Sequence, residues 1–422
     1  MPKEGSLLKL IILNSYDSSG GAAIATYRLH RGLCSIGVDS RMLVSIKTTN
    51  DPTVVIPEPK SLLQKVIALI HSRRDQRISL RYLGKGKQLF SPARCPDDLT
   101  LRVAKLNPNI IHLFWVNSGF MKVETLKKLK APIVWTLHDM WPFTGGCHYD
   151  DECGQFRESC GNCPVLDSNN EHDLSRRIWE RKRKSWQNIP IVVVATSRWL
   201  ADMARSSSLF KDQRIEVIPN GIDAERYKPL DKVVSREGYG LPKNKKLVLF
   251  SAFNATKDKR KGNQFLIPAL KEMANKGWGE RIELVVIGSS TPESSLELGI
   301  KVHYMGNLRD EISQVLLYSA ADVVVAPSMQ ENLSNTVMES LSCGTPVVAF
   351  NVGGMPDMID HQLNGYLARP FESDDLAAGI MWVLENESRH DILSRRARKT
   401  VLERYTLQTV ANRYLRLYQS II

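Results

Sequence analysis

The stretch SMQENLSNTVMESLSCGTPVVAF, residues 328–350, carries two carboxylates eight positions apart, Glu331 and Glu339, around a polar patch of Asn332, Ser334, Asn335 and Thr336. It reads as a buried strand, DVVVAPS (322–328), then a loop, MQENLS, and then a helix, NTVMESLSC, capped by Ser334 or Asn335. Gly344 suits the helix C-terminus, with Pro346 beyond it. The free N–H groups at such a helix start attract phosphate. Carboxylates are poor phosphate ligands, because like charges repel. They are good hydroxyl acceptors, since an ionised carboxylate takes up to about four hydrogen bonds. A ligand with phosphates flanked by two hydroxyl-rich rings fits this layout, and a sugar nucleotide is such a ligand: ribose at one glutamate, donor sugar at the other. The plainer alternative is an acid that favours the helix dipole followed by a solvated acid within the helix.

Three further groups have chemical potential. In NSYDSSGGAAIATYRL (14–29) a strand ends, a Ser-Ser-Gly-Gly loop follows and a helix begins near Ala22. Gly20 and Gly21 would let a ligand approach backbone N–H groups at that helix start. The G-x-G-x-x-G dinucleotide spacing is absent, and a plain tight turn reads equally well. His138 stands at the end of the apolar run PIVWTLHD (132–139). Finally Cys147, Cys153, Cys160 and Cys163 cluster in CHYDDECGQFRESCGNC, ending C-x2-C with His148 beside them. Such a set points to a structural zinc site, to disulfides or to free thiols, and a cytoplasmic setting argues against disulfides. Cys34, Cys95 and Cys343 are isolated and read as ordinary thiols.

The elements that must position these residues follow from hydropathy. Candidate strands are LLKLIILN (7–14), SRMLVSI (40–46), IIHLFW (110–115), PIVWTLHD, IVVVATS (191–197) and RIEVIPN (214–220). The second half continues with KLVLFSAF (246–253), IELVVIGS (282–289), VHYMG (302–306), DVVVAPS and PVVAF (346–350). Near-continuous Val/Ile/Leu runs without alternation predict strands covered on both faces, as in parallel sheets. Segments of helical spacing lie between them, so the chain reads as repeated βαβ units in two doubly wound α/β domains. The Pro-, Gly- and charge-rich stretch 217–246 reads as the linker between them, and LERYTLQTVANRYLRLYQSII as an amphipathic final helix.

With those residues in view, the chain resembles the family 4 retaining glycosyltransferases of GT-B architecture. The segment PSMQENLSNTVMESLSCGTPVVAFNVGGMPDMI is similar to that family's E-x7-E core, including the Gly353-Gly354 loop. VIPNGID (217–223), GNL (306–308) and SAADVVVAPS (319–328) match further family segments, and TLHDMWPFTGGC (136–147) resembles a subgroup acting in surface-polysaccharide assembly. The resemblance implies two Rossmann-like domains facing across a cleft: an acceptor-binding domain over 1–220 with a Cys-rich insert at 144–165, and a nucleotide-sugar-binding domain over 221–404. It also implies a helix, 405–422, returning to the first domain. Glu339 would hold ribose hydroxyls and Glu331 donor-sugar hydroxyls. Backbone N–H groups of Asn332, Leu333 and Ser334 would hold sugar or phosphate oxygens. Gly20 and Gly21 would lie by the diphosphate, and His138 near the reacting centre. The family's diphosphate clamp is an Arg after the first strand of the second domain and a Lys before a Gly. In SAFNATKDKRKG (251–262) Lys261 before Gly262 matches, the usual Arg position reads Ala or Phe, and Arg260 stands as its substitute.

Composition adds constraints. Of 57 Lys and Arg and 45 Asp and Glu, residues 1–220 hold 32 and 21, leaving 25 and 24 for the rest. Of the net charge of +12, +11 therefore sits in the first half, most densely in residues 60–105. A one-sided positive field suits a polyanion or an anionic membrane surface. KSLLQKVIALIHSRRDQRISLRYLGKGK reads as an interfacial patch, with a solvated surface as its plain alternative. No apolar run is long enough to span a membrane. The first apolar segment reads as a buried strand rather than a signal peptide, so a cytoplasmic protein is expected, peripheral at the inner membrane face.

The expected partners are a UDP- or GDP-sugar donor and a glycan or polyprenyl-diphosphate-linked acceptor, with no nucleic acid. Catalysis is expected without a metal ion, because no D-x-D pair follows a strand. The alternatives are a nucleotide-sugar epimerase or hydrolase of the same fold, which releases nucleotide without an acceptor, and a non-catalytic nucleotide-sugar-binding scaffold.

Overall fold

The most apolar runs of the chain become the inner strands of two parallel sheets. The computed structural model describes residues 8–56, 70, 89–251, 258–288, 298–308 and 310–422. These divide into one unit of Met1–Gly221 with Val410–Ile422 and a second of Ile222–Thr409. In the first unit, β1 (Lys9–Tyr16), β2 (Asp39–Ile46), β3 (Val54–Val55), β4 (Ile110–Leu113), β5 (Ile133–Leu137), β6 (Ile191–Ala195) and β7 (Arg214–Val217) form one sheet. Its order is β3-β2-β1-β4-β5-β6-β7, and every pairing is parallel. Successive residues of each inner strand enter opposite cores. Leu13, Ile111, Trp135 and Val193 join one cluster, whereas Leu10, Ile12, Val134 and Val194 join the other. Burial on both faces explains why these strands read as unbroken apolar runs.

The final helix, Leu407–Gln419, contributes Val410, Ala411, Tyr414, Leu417 and Tyr418 to that second cluster. Two of its tyrosines are also pinned by polar groups buried under the sheet: His112 Nδ1 lies 2.7 Å from the Tyr418 hydroxyl, and Thr136 Oγ1 lies 2.9 Å from that of Tyr414.

The second unit repeats the plan with β8 (Lys246–Ser251), β9 (Ile282–Ile287), β10 (Lys301–Tyr304), β11 (Val323–Ala326), β12 (Val347–Phe350) and β13 (Gly365–Ala368), in the order β10-β9-β8-β11-β12-β13. The linker predicted over 217–246 is more structured than its composition suggests. It holds a helix, Lys232–Glu237, whose buried Arg236 donates to Asp322 Oδ2 at 2.7 Å and to the carbonyls of Ala320, Pro242, Lys243 and Lys245. The edge strands β3 and β13 have no counterpart among the predicted strands. Each is short, and β13 begins at a glycine, so neither carries an apolar run. Among the described residues no helix is long and apolar enough to cross a membrane. The predicted interfacial patch lies, apart from Ile70, outside the described residues.

Candidate active site

In each sheet the order reverses once, and ligands of open α/β sheets sit beyond the strand ends at that reversal. In the second unit it falls between β8 and β11. Residues 252–257, after β8, lie outside the described residues; the chain resumes with a 3-10 turn, Lys259–Lys261, and Gly262. The two loops are in direct contact. Met329 N donates to Arg260 O at 2.8 Å. A Cβ on Gly262, whose φ is +80°, would stand 1.7 Å from the Pro327 carbonyl oxygen, so only glycine permits this approach.

Glu331 is held from the other side as well. Its carbonyl accepts from Gly354 N at 3.0 Å, and a Cβ on Gly353 (φ +54°) would lie 2.0 Å from that same oxygen. The Glu331 carboxylate lies 2.7 Å from Lys261 Nζ and 3.7 Å from Arg260 Nη1. Arg260 also donates to Gln330 O at 3.1 Å. Burial raises the Glu331 pKa, but the charges of Lys261 and Arg260, the Lys261 hydrogen bond and the Asn332 N–H outweigh it, and the net shift is downward. Glu331 is therefore ionised at neutral pH.

The helix after this loop runs Asn335–Ser342, and Ser334 is its cap, accepting from Val337 N at 3.4 Å. Asn332 and Leu333 are buried, the latter in the core of the unit. Glu339, also buried, accepts a hydrogen bond from the Tyr318 hydroxyl at 3.1 Å. Tyr318 comes from the helix Glu311–Ala320, and nothing in the local sequence marks it as a site residue. The second unit thus brings together Arg260, Lys261, Glu331 and the loop 332–334, and sets Glu339 one turn into the helix they precede.

In the first unit, Gly20 is the N-cap of the helix Gly21–Ser35, with φ +89° and no side-chain cap. Among the described residues nothing lies within 4 Å of the Cβ position at Gly20, so the left-handed backbone there selects glycine. His138 directly follows β5. Its Nε2 lies 3.3 Å from Asn220 Oδ1 and its ring 5.6 Å from that of Phe114. Burial pushes the imidazole down to about 4, against smaller opposing effects of Asn220 and Asp139, so His138 is neutral at pH 7. The adjacent Asp139 lies 2.6 Å from His148 Nδ1 and accepts from Trp141 N at 2.9 Å and Trp115 Nε1 at 3.1 Å. His148 Nε2 in turn meets Ser91 Oγ at 2.9 Å.

Zinc, disulfides and free thiols are the readings that the spacing of Cys147, Cys153, Cys160 and Cys163 leaves open. All four are free thiols, and among the described residues no three His, Cys, Asp or Glu side chains are grouped to hold a metal. Burial raises all four thiols, Cys160 to about 12. His148, the expected spare ligand, is engaged by Asp139 and Ser91. Instead Cys147 and Cys163 join Phe90, Val165, Leu166, Leu174 and Ile178 in a small apolar cluster.

Known proteins share this architecture. The model for Glycosyltransferase Family 4 matches residues 19–226, and that for Glycosyl transferases group 1 matches residues 231–400. A D-inositol 3-phosphate glycosyltransferase of Corynebacterium aurimucosum is 28% identical over 390 residues, covering 88% of this chain and 84% of the relative. The Escherichia coli K12 protein named "Putative colanic acid biosynthesis glycosyl transferase WcaC" is 26% identical over 361 residues, covering 81% and 83%. Among solved structures, sucrose-phosphate synthase of Thermosynechococcus elongatus superposes with a TM-score of 0.68 at 19% identity over 98% of each chain. Anabaena Alr3699/HepE in complex with UDP-glucose gives 0.66 at 17% identity, over 98% of this chain and 100% of that one. Two Rossmann-like units and matched models over both halves place the chain in the α/β GT-B fold, and it belongs to the family 4 glycosyltransferases.

Proposed function

We propose that the protein is a retaining, metal-independent glycosyltransferase that moves a sugar from a UDP- or GDP-sugar to a glycan or polyprenyl-diphosphate-linked acceptor in surface-polysaccharide assembly. The observation that carries this reading is the cluster at the β8/β11 reversal: an ionised carboxylate, Glu331, against Lys261 and Arg260 at the entrance to a capped helix. Glu339 takes the ribose hydroxyls, and Glu331 takes hydroxyls of the donor sugar, as ionised carboxylates accept hydroxyl donors. Backbone N–H groups of Leu333 and Ser334 take sugar or phosphate oxygens, while that of Asn332 holds the Glu331 carboxylate in the free protein.

In the reaction the bond from the anomeric carbon to the phosphate oxygen breaks. The acceptor oxygen bonds to that carbon on the same face, and its proton passes to the departing phosphate. Negative charge grows on the diphosphate, and Arg260, Lys261 and the N-terminus of the helix Asn335–Ser342 stabilise it without a metal. Neutral His138 serves as a hydrogen-bonding partner rather than as a cation. HepE in complex with UDP-glucose supports the donor class, WcaC supports the pathway class, and the basic first half of the chain supports work at an anionic membrane surface.

Thermal shift with UDP-, GDP- and ADP-sugars, followed by NMR of the anomeric configuration of the product, tests this. One nucleotide class should stabilise the protein, and the product should keep the donor's configuration. E331A and E339A should each weaken donor binding or transfer. If both variants bound and transferred as wild type does, the assignment would fail. Nucleotide release that needs no acceptor would point to hydrolysis instead.

A further inference from the structure

The helix Asn335–Ser342, which carries Glu339, is eight residues long, too short to hold its place by its own hydrogen bonds. Any helix leaves its last four carbonyls without partners inside itself. Here those of Glu339, Ser340 and Leu341 accept from the N–H groups of Cys343, Thr345 and Gly344, at 3.0, 3.0 and 3.1 Å. The fourth, Ser342 O, accepts instead from a side chain 56 residues away, Arg398 Nη1, at 2.9 Å.

Arg398 is half-buried on the helix Glu387–Arg404. Its Nη1 also donates to Ser342 Oγ at 3.0 Å and to Tyr227 O at 2.7 Å, and its Nη2 donates to Ala224 O at 2.8 Å. Ser342 Oγ donates to Tyr227 O in turn. One planar guanidinium therefore ties the end of the Glu339 helix to residues 224–227, which begin the second unit. That segment is itself fixed. Tyr227 is fully buried, and its hydroxyl donates to Gln314 Oε1 at 3.0 Å. Ile222 N donates to Tyr405 O at 2.8 Å, and Leu407 N donates to Ile222 O at 3.0 Å.

All four hydrogen bonds of Arg398 end on uncharged oxygens. A cation at a helix C-terminus also complements the dipole, whose positive end opens at Ser334. A lysine would keep the charge but lacks the two-nitrogen fork that reaches Ala224 and Ser342 at once.

We infer that Arg398 is a positioning residue for the donor site: it sets the Glu339 helix against residues 224–227 and so fixes where the Glu339 carboxylate stands. Glu339 lies three positions before Ser342, on the same face of the helix, so a shift of the helix end moves its carboxylate. Arg398 acts through Glu339 and touches no ligand. The inference deepens the proposed function and rests on it in one respect, that Glu339 takes ribose hydroxyls.

The test compares wild type, R398M, R398K and V383A. Val383 is buried on a different helix, Ser373–Glu385, in the other core of the unit, so V383A loosens the unit with the fork intact. Calorimetric titration with UDP, GDP and their 2′,3′-dideoxy forms reads affinity, and hydrogen exchange reads segments 222–230 and 335–345. R398M should weaken the nucleotide that binds wild type by about tenfold. R398K should weaken it less, and it supplies the same readings should R398M not fold. Loss of the ribose hydroxyls should erase most of the difference, because Glu339 then has nothing to hold. V383A should bind as wild type does, and exchange in both segments should be faster in R398M than in V383A. Wild-type affinity in R398M, an equal loss for the dideoxy nucleotide, or a matching loss in V383A would overturn the role. If wild type bound neither nucleotide, the donor assignment would fail, and exchange would decide alone: faster in R398M upholds the hold on the helix, and unchanged overturns it.

Discussion

Removing the ammonium of Lys261 should produce two separable losses. In the free protein its Nζ lies 2.7 Å from Glu331 Oε2, with side-chain exposures of 19% and 12%, and Arg260 stands further off at 3.7 Å. Breaking a buried pair from one side costs about 3–5 kcal/mol, because the remaining charge stays buried without its partner. Arg260 is left to compensate in part, which sets the expected cost of K261M at about 2–3 kcal/mol. The double variant K261M/E331Q removes both charges and should recover most of that loss, giving a coupling energy of at least about 1 kcal/mol in the cycle.

The pH dependence follows from the depressed Glu331 carboxyl. Its folded value lies below its unfolded one, so its stabilisation is present above the unfolded value and disappears as pH falls through the folded value. K261M should show a smaller acid-range dependence, because Arg260 and the Asn332 N–H remain to hold the carboxylate. Donor binding behaves differently, since a lysine that also faces the diphosphate is not replaced by removing Glu331. K261M and the double variant should therefore both bind the UDP- or GDP-sugar more weakly than wild type. Urea unfolding of wild type, K261M, E331Q and the double variant from about pH 2 to about pH 7, which spans the carboxylate range, with nucleotide-sugar thermal shifts, measures both effects. Additive stabilities for the two substitutions would refute the pairing, and full donor affinity in K261M would refute its place at the diphosphate.

Two further outcomes follow from crowding and from a buried amine. G353A would set a Cβ 2.0 Å from the Glu331 carbonyl at a left-handed position, so urea unfolding should show a loss of about 2 kcal/mol or more, with the donor thermal shift diminished as Glu331 moves; wild-type stability and shift would show that the loop closes otherwise. Lys182 is fully buried, with Nζ 3.7 Å from the Trp141 ring centroid, and donates to Thr144 O at 3.0 Å and to Trp141 O. Burial lowers its pKa from 10.5 to about 7. Between those values the unfolded chain binds more protons, so wild-type stability should rise with pH relative to K182M, by up to about 1.4 kcal/mol per pH unit. A flat difference in urea unfolding across that range would contradict the shift.

Much of the architecture was readable before folding, because burial on both faces of a parallel strand imposes an apolar run that survives in the one-dimensional chain. IIHL, IVWTL, IVVVA and VVVA are cases in point. The carboxylate pair was readable for a related reason: Glu331 and Glu339 flank one helix start, so their relation is local. What escaped had no run or spacing to betray it. The two-residue β3 and the glycine-led β13 are edge strands held by a single neighbour, and the helix Lys232–Glu237 hides among linker-like prolines and charges. The cysteines stayed ambiguous because spacing records only proximity along the chain, whereas a metal site needs ligands converging in space; Cys147 and Cys163 pack in an apolar cluster.

The sequence alone therefore determined the alternation of strands and helices, the division into two doubly wound units and the local grammar of the Glu331–Glu339 helix. Tertiary structure alone decided that Lys261 reaches Glu331 across seventy residues, that Tyr318 orients Glu339, that Gly262 and Gly353 clear the way for two carbonyls, and that Arg398 joins Ser342 to Tyr227. The division has a physical cause. Hydrophobic periodicity is a property of neighbours along the chain, whereas ion pairs, hydrogen bonds and steric clearances between distant segments are fixed only when the sheets set their loops side by side.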